Sequence, residues 1–223
     1  EMRVFHILSN PAIGGIVRML SVLVPRARRA GVDMQVVNLA HTSTAYALWD
    51  RAGVPYHCLP TPPRLLIGGI PGLMRLLRRQ RPDVVEIYGL RANVVGRIAA
   101  RLAGVPVILT GVISTDDWRR WYHVWLDRLT RPAVTRWVCN SRACARSLVE
   151  REKHPAGRLD VIYDAIDTAR WAPAADPAGR AAFRRQWGWP EDAVVGVTVA
   201  NLRPDKGIEY LIEAAPGVVE ACL

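Results

Sequence analysis

The sequence predicts an α/β protein, a parallel sheet with helices on both faces, and three observations lead there. Short runs rich in Val, Ile and Leu alternate with stretches of helical period from the first residues onward, the signature of βαβ units. Glycines close helical stretches where they should, Gly31 after the first and Gly104 after a later one. Finally, 223 residues that are 50% hydrophobic and 22% charged suffice for one α/β domain and part of another, and disorder is not expected.

The elements follow in order. "RVFHIL" (3–8) is the first strand, and a glycine loop leads into a helix over 16–30 that contains Pro25. "VDMQVVNL" (32–39) and "VPYHCL" (54–59) are strands two and three, with a short helix at "AYALWDRAG" between them. "PTPP" is a rigid turn before a helix over 65–79, and Pro82 fixes the entry to "DVVEIY" (83–88), the fourth strand. In "RANVVGRIAARLAG", Val94, Val95, Ile98, Ala99 and Leu102 recur at helical spacing. "VPVILT" (105–110), "AVTRWVCN" (133–140) and "LDVIYD" (159–164) are further strands, the last two joined by a helix at "SRACARSLVER" capped by Ser141 or Asn140.

A shift to Ala and Pro at "TARWAPAADPAG" (168–179) places a boundary, giving a first domain over 1–168, a linker and domain edge over 169–190, and an incomplete unit over 191–223. "RAAFRRQWGW" has a helical pattern. "AVVGVTVA" (193–200) is a continuous apolar run of the kind expected for a fully buried strand. One strand, one loop and one helix bury too little apolar surface to stand alone, so this unit is expected either to pack on the first domain or to continue in a longer protein.

Thirty Lys and Arg against twenty Asp and Glu give a formal charge of +10, a balance that favours anionic partners. The cations lie inside helical patterns such as "PRARRAG" and "LMRLLRRQRPD", as solvated outer faces do. Cys58, Cys139, Cys144 and Cys222 show no metal-ligand spacing; Cys58 and Cys139 sit in apolar strand-like runs and read as buried free thiols. His6, His41, His57, His123 and His154 form no ligand or nucleophile-base pattern, and neither a P-loop nor G-x-G-x-x-G occurs. No signal-peptide h-region opens the chain, and no run of about eighteen apolar residues occurs.

Three stretches are candidates for chemistry. In "NLRPDKGIEYLIEA" a helix with Ile208, Leu211, Ile212 and Ala215 on one face starts near Lys206 or Gly207. Its open backbone N–H groups face the same space as Arg203 and Lys206, an arrangement suited to a diphosphate. The alternative is that Asp205 caps the helix and the cations are ordinary surface charges, although Lys153 and Lys206 are the only lysines in the chain. In "SNPAIGGIVRML", Gly14 and Gly15 let the backbone turn tightly and approach an anion, or simply make a turn. In "DDWRRWYHVWLDRLTRP", Trp118, Trp121, Tyr122, Trp125 and Leu129 share one helical face opposite Arg119, Arg120, His123 and Asp127. Such a stripe either packs in the core, the commoner case, or rests in a membrane interface.

Taken together, the Gly14–Gly15 loop, "RANVVGRIAARLAGVPVILT", "VCNSRACARSLV", "VIYDAIDTARWAP" and "VANLRPDKGIEYLIEA" resemble glycosyltransferase family 4, whose members have the GT-B fold of two facing Rossmann-like domains. The resemblance implies a Rossmann-like acceptor-side domain and an incomplete second Rossmann-like unit on the donor side. It also implies sugar transfer from a nucleotide-sugar to an acceptor hydroxyl, retaining and independent of metal. "ANLRPDKG" matches the family's G-R-L-x-P-x-K-G loop, which places Lys206, Gly207, Asn201 and Arg203 at the donor diphosphate, and Gly14 and Gly15 at the domain interface.

The chain departs from the family pattern at several positions. Asn201 stands where the family has Arg, so Arg203 is left to supply that charge; Val17 stands at the acidic position after the glycines, and Ala165 replaces a glycine. Tyr88 and "GVIST" occupy places where the family has a histidine, so no catalytic residue is assigned in the first domain. The family's E-x7-E pair lies beyond Leu223, and a chain ending there is expected to be inactive alone.

The implied partners are a nucleotide-sugar donor, which is a substrate rather than a cofactor, and a saccharide or lipid-linked acceptor. Nucleic acid is not among them. A cytoplasmic protein with peripheral contact at the inner membrane face through the 118–129 helix completes the expectation. The competing reading is a non-catalytic basic module that docks on an acidic membrane or a partner protein.

Overall fold

The computed structural model describes residues 1–9, 13–40, 43–59, 68–115, 119–166, 168, 176–200, 202 and 204–222. The chain divides into two compact units, Glu1–Asp167 and Thr168–Leu223.

The first unit holds strands β1 (Arg3–Leu8), β2 (Asp33–Asn38), β3 (Tyr56–Cys58), β4 (Val84–Tyr88), β5 (Val107–Val112), β6 (Arg136–Cys139) and β7 (Leu159–Val161). All pair in parallel, in the order β3-β2-β1-β4-β5-β6-β7. Between them run α1 (Gly15–Arg29), α2 (Tyr46–Ala52), α3 (Ile70–Gln80), α4 (Leu90–Ala103), α5 (Trp121–Thr130) and α6 (Arg142–Glu150).

Alternation along each strand divides the core. Phe5, Ile7, Val85, Ile87 and Ile108 pack with Leu73 and Leu77 of α3 and with Ala92, Val95 and Ala99 of α4 on one face. Leu8, Val36 and Tyr88 pack with Val17, Leu20 and Val24 of α1 and Trp49 of α2 on the other. Trp137 and Cys139 of β6 meet Cys144 and Leu148 of α6 in a third cluster.

The local signals act as expected at several ends. Gly104 caps α4 with φ +80°, a left-handed conformation costly for other residues, and Gly31 turns with φ +87° after α1. Ser141 caps α6 by accepting from the Cys144 backbone N–H at 3.2 Å. The "PTPP" turn and residues 65–67 lie outside the described residues; α3 begins at Ile70, with Pro71 in its first turn.

The structure corrects four expectations. The outer strands are shorter than predicted: β3 covers Tyr56–Cys58, and β7 covers Leu159–Val161, after which Ile162 makes one backbone bond to Cys139 of β6 and Ile162 and Tyr163 are exposed. An edge strand has one neighbour, so its ends lose ladder hydrogen bonds first. Cys58 sits on that β3 edge and is exposed, whereas Cys139 is buried as predicted.

The run 193–200 forms no strand, and Val194 and Val199 are over nine-tenths exposed. No neighbouring strand in the described part of the second unit accepts its backbone hydrogen bonds, and an apolar run alone does not make a sheet. Fourth, the aromatic stripe of α5 is not core: Trp121, Trp125 and Leu129 are exposed, while Asp127 on the presumed outer face is buried. Arg97 of α4, itself fully buried, draws that carboxylate inward.

The second unit contains α7 (Pro177–Gln186), a 3-10 turn at Pro204–Lys206 and α8 (Ile208–Cys222). Asp176 caps α7 by accepting from the backbone N–H groups of Ala178 and Gly179, each at 3.0 Å. Phe183, Trp187 and Trp189 cluster with ring centroids about 6 Å apart, and Arg184 donates to the carbonyl of Pro190. Leu211 and Ile212, on the predicted apolar face of α8, are exposed.

Candidate functional site

The strand order reverses direction between β1 and β4, and open α/β sheets bind ligands outside the C-terminal ends of strands at such a reversal. From β1 the chain passes to α1 on one face of the sheet, and from β4 to α4 on the other. Ser9 follows Leu8, which pairs with Tyr88, so Ser9 and Gly89 are neighbours in the crevice.

Both helices open there without side-chain caps. Gly14 precedes α1 in extended conformation, Gly89 precedes α4, and neither first turn contains an acidic residue. The first N–H groups of an α-helix lack partners within it and carry partial positive charge, so the crevice is favourable to an anion from two sides. Gly89 holds φ +86° and ψ 150°, a region open in practice only to glycine. Gly14 and Gly15 are not required in this way: Gly14 is ordinary extended backbone, and a Cβ on Gly15 would meet nothing within 4 Å. Their contribution is bare backbone at the helix mouth rather than the tight turn expected from sequence.

Under the crevice lies a buried trio that sequence spacing did not reveal. His6 of β1 and Glu86 and Tyr88 of β4 are on the α1–α2 face. The Tyr88 hydroxyl is 3.3 Å and Glu86 Oε2 3.5 Å from His6 Nδ1. Burial pulls His6 down to about 4, so its ring is neutral at physiological pH. Burial pushes the Glu86 carboxyl up and, with the nearby Glu86 charge, holds the Tyr88 phenol well above its ordinary value. The Tyr88 ring lies across Gly111 of β5, where a Cβ would stand 2.1 Å from Cε1. The alternation that places positions 6, 86 and 88 on one face was legible; their pairing across 80 residues was not.

A second missed group centres on Arg97. Its Nη1 donates to Asp127 Oδ1 at 2.8 Å and Thr130 Oγ1 at 3.1 Å, while Nε and Nη2 donate to Thr110 Oγ1 at 3.2 and 3.1 Å. Arg119 Nη1 donates to both oxygens of Glu152, at 3.0 and 3.1 Å. Asp127, Glu152 and His154 have the donor atoms of a metal site within 4.8 Å of one another. The guanidinium groups of Arg97 and Arg119 already occupy the positions a cation would take beside those carboxylates.

The remaining predicted residues belong to the second unit. Lys206 is exposed and ends the 3-10 turn, and Gly207 follows with φ +61°, a conformation that favours glycine. Helix α8 then starts at Ile208 with Glu209 in its first turn, a charge that offsets part of the positive helix end. Asn201 and Arg203 lie outside the described residues, as does Trp118.

A doubly wound parallel sheet, with two bare helix ends at its reversal point, defines the class: a Rossmann-like α/β protein. The sequence profile of Glycosyltransferase Family 4 matches residues 13–170, and the chain belongs to that family. It is 26% identical over 154 residues to the UDP-Gal:alpha-D-GlcNAc-diphosphoundecaprenol alpha-1,3-galactosyltransferase of Escherichia coli, covering 66% of this chain and 39% of that protein. It is 35% identical over 82 residues to the D-inositol 3-phosphate glycosyltransferase of Salinispora arenicola, covering 36% of this chain and 18% of the relative. Among solved structures, Anabaena Alr3699/HepE in complex with UDP and glucose superposes with a TM-score of 0.79 at 19% identity, covering 96% of this chain and 57% of that one. The chain thus spans less than two thirds of each of these proteins.

Proposed function

We propose that this chain is the acceptor-side domain and the start of the donor-side domain of a glycosyltransferase that moves a sugar from a nucleotide-sugar to an acceptor hydroxyl. In this reading the second unit, from Thr168 onward, begins the donor-side domain. The observation that carries the proposal is the pair of acid-free, uncapped helix N-termini of α1 and α4 at the sheet reversal of a family 4 chain. As the glycosidic bond to the diphosphate breaks, negative charge grows on the leaving oxygens, and fixed N–H dipoles aimed at that charge lower the barrier. Within the second unit, Lys206 and Gly207, with Arg203 and Asn201, are the residues that the family pattern implies for the donor diphosphate. The reaction retains anomeric configuration, needs no metal, and is not completed by this chain alone.

The relatives support the substrate class: by its name the E. coli protein uses UDP-Gal, and the Anabaena structure holds UDP and glucose. Calorimetric titration of the whole chain with UDP tests the site. Gly14→Glu, which puts a carboxylate at the α1 mouth, and Lys206→Ala should each weaken binding about tenfold, roughly 1.4 kcal/mol. Unchanged UDP affinity in both variants removes the diphosphate assignment, and sugar transfer by the chain alone removes the claim of incompleteness.

A second reading is favoured by the exposed Trp121, Trp125 and Leu129 of α5, accompanied by Arg120 and Arg128. Among the described residues no helix is long and apolar enough to cross a membrane. This face suits the interface of an acidic bilayer, where a lipid-linked acceptor is presented on the cytoplasmic side. Co-sedimentation with vesicles containing phosphatidylglycerol should fall with salt and drop severalfold in Trp121→Ser/Trp125→Ser. Binding indifferent to both refutes it.

A further inference from the structure

Glu86 of β4 lies beneath the crevice at the sheet reversal without a compensating cation. Its side chain is 16% exposed, and its partner across the β1–β4 pairing is His6, whose Nδ1 is 3.5 Å from Glu86 Oε2. Among the described residues no Arg or Lys pairs with it. Burial holds His6 neutral, so this neighbour offers no positive charge. Tyr88, two residues on and hydrogen-bonded to Glu86, completes the cluster, its hydroxyl 3.3 Å from His6 Nδ1.

The surrounding elements do not supply the missing charge. Toward β5 the register neighbour is Leu109; beyond it Arg136 of β6 is two strands away, about 10 Å, and donates to Asp160. Helix α1 contributes Val17, Leu20 and Val24, which pack with Tyr88. Asp164, which acts on Tyr88, is itself acidic. An ionised Glu86 stands uncompensated in a poorly solvated place, and burial raises its carboxyl accordingly.

Its position couples this carboxyl to a ligand. Glu86 is two residues from the end of β4, roughly 7 Å along the strand from the mouths of α1 and α4. A diphosphate there and an ionised Glu86 repel each other over a distance shorter than the screening length of physiological salt. Protonation removes the repulsion, and the neutral acid has an O–H to share within the trio. Linkage makes the effect reciprocal: an anion that favours the protonated carboxyl binds better when the carboxyl is protonated.

We propose that the crevice takes up its anionic ligand together with one proton, and that Glu86 holds that proton. This coupling rests on the diphosphate reading of the crevice and adds a pH control to it. The bound anion raises the Glu86 carboxyl further, so a proton is taken up between its free and bound values. Below both values affinity is high and constant, and above both it is low and constant. The two plateaus should differ about tenfold or more.

The probe is UDP-glucose, because both ends of its diphosphate are esterified, whereas UDP itself gains a proton near about pH 6. The whole chain is titrated calorimetrically over about pH 5–8, where His6 stays neutral, at each pH in two buffers of different ionisation enthalpy. Binding should weaken as pH rises, by up to about one decade per unit, with uptake approaching one proton over the same range. Glu86→Gln keeps the shape of the neutral acid and should hold the tight plateau at every pH without proton uptake. Binding without uptake in the parent chain overturns the coupling while leaving the diphosphate site intact. Uptake that persists in Glu86→Gln also overturns it, since another group then holds the proton. No binding of UDP-glucose at any pH, in either protein, refutes the diphosphate reading, and the coupling falls with it. Should Glu86→Gln fail to fold, 13C labelling of the glutamate carboxyls in the parent chain decides: one must titrate above the ordinary range and move higher with UDP-glucose bound, and if none moves the coupling is refuted.

Discussion

Replacing Arg97 by Met tests whether the buried charges of the first unit act as one structure. Arg97 is fully buried and Asp127 is 2% exposed, and the guanidinium donates to the carboxylate, two threonine hydroxyls and the Asp127 carbonyl. Removing one member of such a pair leaves the other charge without compensation in a poor dielectric, at a cost of about 3–5 kcal/mol. That is a large fraction of the roughly 5–15 kcal/mol that stabilises an ordinary domain. Asp127→Leu should cost a similar amount, reduced because Thr110 and Thr130 still accept from Arg97. The double variant Arg97→Met/Asp127→Leu removes both charges of this pair and should lie within about 2 kcal/mol of the parent, far less destabilised than the sum of the single changes. Urea unfolding followed by circular dichroism reads all four proteins, with the midpoint as the measure provided the slope is unchanged. A double variant as unstable as the summed singles would refute the coupling.

Two further expectations concern the trio beneath the crevice. His6 is held at about 4 in the folded chain against 6.5 when unfolded, so its contribution is complete above pH 6.5 and lost as pH falls toward 4, about 3 kcal/mol in all. Glu86, raised by burial, works in the opposite sense and is relieved on protonation. His6→Gln should therefore flatten the loss of stability between pH 6.5 and 4, and an unaltered acid profile would show that another group titrates. Gly111→Ala drives a methyl into the Tyr88 ring and should destabilise by about 1–3 kcal/mol in the same urea assay. Gly111→Ala/Tyr88→Leu should recover part of this, and equal loss in both would place the strain elsewhere.

The repeating units of the first domain were legible because each strand and helix announces itself locally. Alternation in "RVFHIL", helical spacing in "RANVVGRIAARLAG" and the stops at Gly31 and Gly104 all reappear in the structure. What failed depends on partners distant in sequence. For the α5 stripe the sequence left core packing, the commoner case, and a membrane interface both open, because Arg97, thirty positions away from Asp127, decides which face turns inward. The valines at 194–199 read as a buried strand, but burial is a property of a sheet and not of a segment. In the site, the glycines marked the α1 mouth, whereas Gly89, His6 and Glu86 carry no local signature and come together only where β1 meets β4.

The partnership of β1 with β4 also orders the birth of the molecule. Arg3 donates its backbone N–H to Asp83, so a nascent chain leaving the ribosome holds this strand for 80 residues before the central neighbour emerges. Until then β1 can pair only with β2, and the crevice at the sheet reversal does not exist. Non-local parallel pairing of this kind is slow, which makes the interval between synthesis of Leu8 and synthesis of Tyr88 the period when the newborn protein is most open to misassembly.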